Sequence, residues 1–206
     1  MEKIFFEKGF KLIAGVDEVG RGPLAGPVVA AAVIMPYEFE IDGLKDSKKL
    51  TAKKREKLTV QIKELALAWQ VETIDVDFIN KYNILKATFA AMKKCLLNLK
   101  IKPDCVLVDG NQTIPDINIP QFAVIKGDSK CSSISCASII AKVYRDNIMS
   151  ELDKLYPQYN FLKNMGYGCK AHLDALKQFG ATPIHRKHFA PVADVIEQKD
   201  KQLELI

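Results

Sequence analysis

The sequence lacks the features that mark membrane, secreted or disulfide-stabilised proteins. Its longest run without a charged or amide side chain, residues 22–37, contains three prolines and too few consecutive apolar residues to span a bilayer. Residues 1–8 mix acids with lysines and lack the apolar stretch of a secretory signal. The five cysteines are an odd number, which does not suggest a disulfide framework. We therefore expect a cytoplasmic protein with reduced thiols and no membrane contact.

Charge of either sign is not in large excess, but its distribution is uneven. The 206 residues include 30 basic and 25 acidic ones, and 48% are hydrophobic, which is typical of a globular protein. Residues 45–57, KDSKKLTAKKREK, carry a charge excess equal to the net charge of +5 of the whole chain. Residues 163–188 form a second basic region. Each region is either a surface that faces a polyanion or only a solvated face.

Hydrophobic patterns predict an α/β fold. Apolar runs predict strands at 12–16, 28–35, 105–108 and 121–125, and an alternating pattern predicts one at 69–75. Amphipathic patterns predict helices over 51–68, 76–99 and 132–155, and a helical tail from residue 170 with Gly180 as a helix stop. Strands dominate the first part and alternate with helices afterwards. This order predicts a mixed sheet, with an early meander followed by strand–helix–strand crossovers.

Acidic residues follow two of the predicted strands. Asp17 and Glu18 come after Val16, and Asp109 comes after Val108. If these strand ends are adjacent, the carboxylates converge where like charges repel, and a metal cation would relieve the repulsion. Carboxylate oxygens suit hard cations such as Mg²⁺ or Mn²⁺. The alternative is that these acids merely end their strands and face water.

A glycine-rich turn, Gly20-Arg21-Gly22 with Gly26 further on, follows the first acids. It matches neither the dinucleotide-binding fingerprint nor a P-loop, because the glycine spacing differs and Arg21-Gly22 occupies the Lys-Ser/Thr positions. Its small side chains could bring backbone groups close to a sugar or phosphate, although such sequences are commonly only turns.

Two further patterns leave alternatives open. The spacing of Cys169, His172, His185 and His188 approaches a zinc pattern, but the second pair is one residue short and a helix is predicted between the pairs. We therefore favour packing and polar contacts for these side chains. Asp146 lies opposite the apolar face of the helix over 132–155, which allows an exposed pair with Lys142.

These motifs resemble the ribonuclease HII family, the type 2 ribonucleases H. The similarity lies in GVDEVGRGPLAGPV at 15–28, DSKKL at 46–50, NIL at 83–85, VDG at 108–110, KGD at 126–128, AKVYRD at 141–146, GYG at 166–168 and the pair His185-Arg186. These motifs follow the family order over almost the whole chain. Asn164, Cys169 and His188 depart from the commonest family pattern, which concerns details of backbone contact and junction preference.

The resemblance implies a ribonuclease H-like fold, with a mixed central β-sheet flanked by helices. It implies a single domain, with a catalytic core of about 10–157 and a helical C-terminal extension of about 158–206. The implied activity is endonucleolytic cleavage of the RNA strand of RNA–DNA hybrids, and cleavage 5′ to single ribonucleotides in duplex DNA, leaving 5′-phosphate and 3′-hydroxyl ends. By motif position, the catalytic residues that hold two divalent cations, Mg²⁺ or Mn²⁺, are Asp17, Glu18, Asp109 and Asp146.

The resemblance also implies the substrate-binding residues. They are Gly20, Arg21, Gly22, Lys48, Lys49, Asn83, Lys126, Ser129, Tyr167, His185 and Arg186. Among them, the Gly20–Gly22 turn and Tyr167 would read the ribose 2′-hydroxyl at an RNA-to-DNA junction. We expect a monomer whose partners are RNA–DNA hybrids and DNA containing ribonucleotides. Residues 202–206 lack the double aromatic of a sliding-clamp motif.

Two other classes of function fit parts of the sequence. Another metal nuclease or an integrase with the same fold would use clustered carboxylates but would not need the Gly20–Gly22 turn with Tyr167. A non-catalytic RNA–DNA binding module would keep the basic regions and could dispense with the acids. The presence of all four acids favours the ribonuclease.

Overall fold

The computed structural model describes residues 1–44 and 51–203. The predicted substrate-binding residues Lys48 and Lys49, and residues 204–206 of the C-terminal sequence compared with a clamp motif, lie outside the described residues. The chain forms two compact units. The first comprises residues 1–19, 29–73 and 88–144, and the second comprises residues 20–28, 74–87 and 145–206. The single domain with a boundary near residue 157 stays a prediction.

The first unit is built on a mixed sheet of five strands. Its strands are β1 (Ile13–Val19), β2 (Val28–Ile34), β3 (Ala68–Ile74), β4 (Cys105–Asp109) and β5 (Gln121–Val124), in the order β3-β2-β1-β4-β5. β1 is antiparallel to β2 and parallel to β4, and β4 is parallel to β5. The predicted mixed sheet, with an antiparallel start followed by parallel strands, is confirmed.

The helices follow the sequence pattern with one correction. They are α1 (Lys3–Glu7), α2 (Ala52–Leu65), α3 (Val76–Tyr82), α4 (Ile84–Asn98), α5 (Ser132–Leu155), α6 (Phe161–Asn164), α7 (Lys170–Phe179) and α8 (Ala190–Leu203). The single helix predicted over 76–99 is wrong, because Asn83 has a φ of 82° and divides it. The side chain of Asn83 accepts a hydrogen bond from the N–H of Lys86 at 3.0 Å, so it caps the start of α4.

A close helix–sheet contact organises the core of the first unit. A Cβ on Gly15 of β1 would collide with the backbone of Ser133 and Ile134, so only glycine lets α5 approach this closely. Side chains alternate along a strand, and Asp17 therefore lies on the same face of β1 as Gly15. The first part of α5 thus packs on the face of the sheet that carries Asp17.

The second unit has its own apolar core. Its buried members include Leu24, Met149, Tyr159, Phe161 and Leu176.

Among residues 1–44 and 51–203, no helix combines the length and the hydropathy that a membrane span needs.

Candidate active site

The parallel pairing of β1 and β4 brings two acidic residues side by side. Val16 pairs with Val108, so Asp17 and Asp109 come next on neighbouring strands and lie on the same face of the sheet. Glu18 follows Asp17 and is half-buried. The strands that carry these acids are adjacent, which meets the condition under which the sequence predicts that the carboxylates converge.

Asp17 is a buried carboxyl group, with only 6% of its surface exposed. Burial raises its pKa from 3.8 to about 8, and the charges of Glu18 and Asp109 act in the same direction. Hydrogen bonds from Ser138 and from the N–H of Glu18, the latter at 2.7 Å, partly oppose these effects. An ionised Asp17 is therefore costly in the protein alone, and a nearby cation would reduce that cost.

Asp109 is fixed by a turn that follows β5. Its Oδ1 accepts a hydrogen bond from the N–H of Gly127 at 2.6 Å. A Cβ at position 127 would lie 2.6 Å from the side chain of Ile134 and 3.1 Å from Oδ1 of Asp109, so glycine permits this contact. The neighbouring Lys126 and Ser129 are exposed, and the Ser129 hydroxyl donates to the Lys126 carbonyl at 2.8 Å. The structure therefore brings both predicted substrate-binding residues to the turn that holds Asp109.

The acids fit a hard divalent cation in donor type and charge. Asp17, Glu18 and Asp109 offer carboxylate oxygens, and the charges of Glu18 and Asp109 raise the pKa of Asp17, so a cation would offset their repulsion. Within the described ranges, the side chains do not form a group of three or more His, Cys, Asp or Glu residues that could hold a metal ion, so the fit concerns donor type and charge and not the arrangement. The fourth predicted acid, Asp146, is half-buried on α5 and belongs to the second unit.

In the second unit, two buried arginines hold the turn that contains Gly20 and Gly22. Neither arginine has exposed surface. Arg186 donates to the carbonyls of Gly20, Arg21 and Gly26, at 2.5 to 3.1 Å, whereas Arg145 donates to those of Ala25, Pro27 and Met165, at 3.0 to 3.1 Å. Planar guanidinium groups with several fixed N–H donors suit this task, because they can bind several carbonyls at once. The conformation of the turn is therefore set from inside the protein.

Tyr167 lies beside this turn. A Cβ on Gly22 would be 3.4 Å from Cε1 of the Tyr167 ring, and Tyr167 is 49% exposed. Gly22 is also exposed, whereas Gly20 is buried. The structure therefore brings Tyr167 close to the Gly20–Gly22 turn, and these are the two elements predicted to contact the ribose 2′-hydroxyl at an RNA-to-DNA junction.

Two other predicted substrate-binding residues have no exposed surface. His185 and Arg186 are both fully buried. His185 accepts a hydrogen bond from the N–H of Thr182 and contacts His172, so the predicted polar contacts of the two histidines are confirmed. In this structure the side chains of His185 and Arg186 bind within the protein rather than at its surface.

Asn83 is exposed and lies in a groove of the second unit. The groove has a volume of about 380 Å³ and is lined by residues 79–84 together with His188 and Phe189. Arg21 is exposed on the turn described above. Both residues are thus accessible to a large ligand.

The sequence patterns described above assign no role to Arg145 or to Ser138. Arg145 lies four residues after Ala141 and four before Met149, and all three are buried on α5. A charged residue in line with buried apolar positions was the available signal. Ser138 gave no such signal, because its contact with Asp17 depends on how α5 meets the sheet.

Comparison with known proteins agrees with the fold and with the motifs. The model of the Ribonuclease HII family matches residues 14–192. The Ribonuclease HII of Endomicrobium trichonymphae is 50% identical over 197 residues, which cover 96% of this chain and 94% of that protein.

Solved structures give the same result. The crystal structure of ribonuclease H2 from Pyrococcus horikoshii OT3 is similar with a TM-score of 0.79 and 28% identity, over 92% of this chain and 99% of that one. The ribonuclease HII in the PCNA complex from Archaeoglobus fulgidus gives a TM-score of 0.72 and 26% identity, over 89% of this chain and 96% of that one. The chain therefore belongs to the ribonuclease HII family and is a nuclease hydrolase with the ribonuclease H-like fold of that family.

Proposed function

We propose that this protein cleaves the RNA strand of RNA–DNA hybrids and also cuts 5′ to single ribonucleotides embedded in duplex DNA. The products would carry 5′-phosphate and 3′-hydroxyl ends. The observation that carries the proposal is the side-by-side placement of Asp17 and Asp109 on adjacent strands, in a chain of the ribonuclease HII family.

The proposal assigns Asp17, Glu18, Asp109 and Asp146 to two divalent cations, Mg²⁺ or Mn²⁺. When bound, such ions would supply activation of a water molecule for attack on phosphorus and stabilisation of the leaving 3′ oxygen. The chain itself orients the acids. The N–H of Gly127 holds one oxygen of Asp109, and Ser138 and the N–H of Glu18 hold Asp17.

The proposal assigns substrate recognition to the Gly20–Gly22 turn, to Tyr167 and to exposed polar side chains. The absence of a Cβ on Gly22 lets a sugar approach the backbone, while the half-exposed Tyr167 ring offers a packing surface and a hydroxyl. Phosphate contacts are assigned to exposed side chains, and Lys48 and Lys49 are added from the sequence. The exposed residues are Arg21, Asn83, Lys126 and Ser129.

The variant Asp109→Asn tests the role of the acids. The amide oxygen of asparagine can still accept the hydrogen bond from Gly127, so the turn should persist while a charged ligand is lost. In Mg²⁺ we expect cleavage of a duplex with one embedded ribonucleotide to fall at least about 100-fold, with hybrid binding retained.

The control is Asp174→Asn, which removes the same charge from an exposed position on α7. It should cleave normally. Near-normal turnover by Asp109→Asn would refute the assignment. Wild-type protein that binds the hybrid and never cleaves it with Mg²⁺ or Mn²⁺ would instead indicate a binding module.

A further inference from the structure

His172 and His185 form a buried pair inside the second unit. Neither ring has exposed surface, and their Nε2 atoms lie 3.0 Å apart. The rings of Tyr159 and Phe161 lie around them, with centroid distances of 4.9 to 6.1 Å. The surrounding aromatic rings restrict both imidazoles to the orientations that this hydrogen bond requires.

The remaining partners determine which ring nitrogen of each histidine carries the proton. Nδ1 of His185 accepts a hydrogen bond from the N–H of Thr182 at 3.0 Å, so its proton is on Nε2 and points at His172. Nε2 of His172 must then accept, and its Nδ1 donates to the carbonyl of Tyr167 at 2.9 Å. Burial lowers the pKa of both histidines, which keeps them neutral. The hydrogen bonds therefore run in one direction, from Thr182 to Tyr167.

The backbone of Tyr167 is held by bonds on both sides. Its carbonyl accepts from Nδ1 of His172 and from the N–H of Cys169 at 2.8 Å, which fills both acceptor positions. The N–H of Tyr167 donates to the carbonyl of Asn164 at 2.9 Å. Only the side-chain torsions of Tyr167 remain adjustable, so the backbone position of Tyr167 decides where its ring can lie.

The segment around His185 also binds the turn that faces Tyr167. The N–H of Gly26 donates to the carbonyl of Ile184, and the N–H of Arg186 donates to that of Leu24, at 2.9 and 2.8 Å. The side chain of Arg186 holds the carbonyl of Gly20. Two adjacent residues therefore act on the Gly20–Gly22 turn and on Tyr167. Arg186 donates to the carbonyl of Gly20, whereas His185 donates to His172, which in turn donates to the carbonyl of Tyr167.

We propose that His172, whose proton position is set by His185, is a positioning residue for substrate specificity and fixes the Tyr167 ring at its distance from Gly22. This inference rests on the proposed role of Tyr167 as the reader of the ribose. Neither histidine touches the substrate. Loss of the bond to the Tyr167 carbonyl should therefore change the choice between substrates more than it changes cleavage in general.

Two variants at one position separate positioning from general stability. The amide of His172→Asn can reach the place of Nδ1 and donate to Tyr167, whereas the amide of His172→Gln can reach the place of Nε2 and bind only His185. Each variant loses one buried hydrogen bond, so their melting temperatures should be similar. The readout is the ratio of kcat/KM for a duplex with one ribonucleotide to kcat/KM for a long RNA–DNA hybrid.

We expect His172→Gln to lower this ratio about five- to tenfold and His172→Asn to keep it within about twofold of wild type. In a Tyr167→Ala background, His172→Gln should lower the ratio no further. Equal effects of the two variants, or additive losses with Tyr167→Ala, would overturn the positioning role. If Tyr167→Ala alone leaves the ratio unchanged, that result would instead refute the proposed role of Tyr167 in recognising the ribose.

A measurement on the wild-type protein keeps the inference testable if the variants do not fold. Nitrogen-15 NMR of the histidine rings should find the proton of His172 on Nδ1 and that of His185 on Nε2. A proton on Nε2 of His172 would leave its Nδ1 with no hydrogen to donate to Tyr167, and a proton on Nδ1 of His185 would remove the hydrogen bond from His185 to His172. Either result would overturn the proposal, whatever the substrate preference.

Discussion

Asp17 couples the stability of the fold to the charge of the site. Its folded-state pKa of about 8 lies above the ordinary value of 3.8, because the side chain is buried and close to Glu18 and Asp109. The native state therefore holds this proton more tightly than the unfolded state does. The resulting stabilisation is complete below about pH 4 and is lost as the pH rises through about 8.

We therefore expect the free energy of unfolding of the metal-free protein to decrease between about pH 4 and 8 relative to that of Asp17→Asn. Each unit of pKa difference corresponds to about 1.4 kcal/mol, so the variant should exceed wild type by several kcal/mol at pH 8. Urea unfolding in the presence of a chelator measures this. Asp174→Asn, exposed on α7, should follow wild type. Identical pH profiles for wild type and Asp17→Asn would contradict the burial argument.

The acids and the contacts around them differ in how well the sequence predicts them. Asp17 and Asp109 follow apolar runs, and the hydrophobic pattern alone places Asp109 at the end of β4. The prediction that Asp17 and Glu18 come after their strand is wrong, because β1 continues to Val19 through its pairing with β2. The bond from Gly127 to Asp109 joins residues 18 positions apart, and it depends on the pairing of β4 with β5. The local sequence does not indicate such a contact, so the roles of Gly127 and Ser138 follow only from the structure.

At the level of elements, Gly20 and Gly22 have different roles in the turn after β1. Gly20 has a φ of 95°, and a Cβ there would collide with the side chain of Arg145 and come within 2.8 Å of the Pro27 carbonyl. At Gly22 a Cβ would meet, among residues 1–44 and 51–203, only the Tyr167 ring, at an ordinary contact distance of 3.4 Å. Gly20 is thus required by the protein itself, whereas the space at Gly22 is open to a ligand.

This difference predicts that a matched pair of variants will differ in stability and in the substrates affected. Gly20→Ala should lower the free energy of unfolding by about 2–4 kcal/mol and reduce cleavage of every substrate. Gly22→Ala should change stability by less than about 1 kcal/mol and still slow cleavage at a single ribonucleotide, because the added methyl crowds the sugar. Thermal melting and cleavage assays on both substrates decide this. A Gly22→Ala enzyme with wild-type rates would show that no sugar approaches this turn.

The division into α3 and α4 has a physical reason that the apolar pattern over 76–99 does not indicate. The apolar residues from Phe78 to Leu96 keep helical spacing, so periodicity predicts an unbroken helix over 76–99. Asn83 interrupts it with a positive φ and caps α4 with its side chain. Asparagine tolerates both tasks better than most residues, but a single Asn inside an apolar pattern is too weak a signal to outweigh that pattern.

At the scale of the whole molecule, the distribution of charge along the chain predicts where nucleic-acid phosphates would be bound. Residues 45–57 carry a charge excess equal to that of the entire chain, and residues 51–57 of this segment include Thr51, which caps α2, and the exposed Lys53 and Lys54. Lysine side chains that neutralise phosphates release counterions, so the affinity for a hybrid should decrease steeply with added salt.

The double variant Lys48→Ala/Lys49→Ala tests whether this segment follows the phosphates. If each lysine neutralises one phosphate, the slope of log affinity against log salt should become shallower by about two, since each contact contributes about 0.9. The control, Lys100→Ala/Lys102→Ala, removes the same charge from exposed positions in the first unit and should leave the slope near that of wild type. Fluorescence anisotropy with a labelled RNA–DNA hybrid across a salt series measures all three proteins. Equal slopes for the two double variants would show that only the net charge matters and that residues 45–57 are a solvated surface.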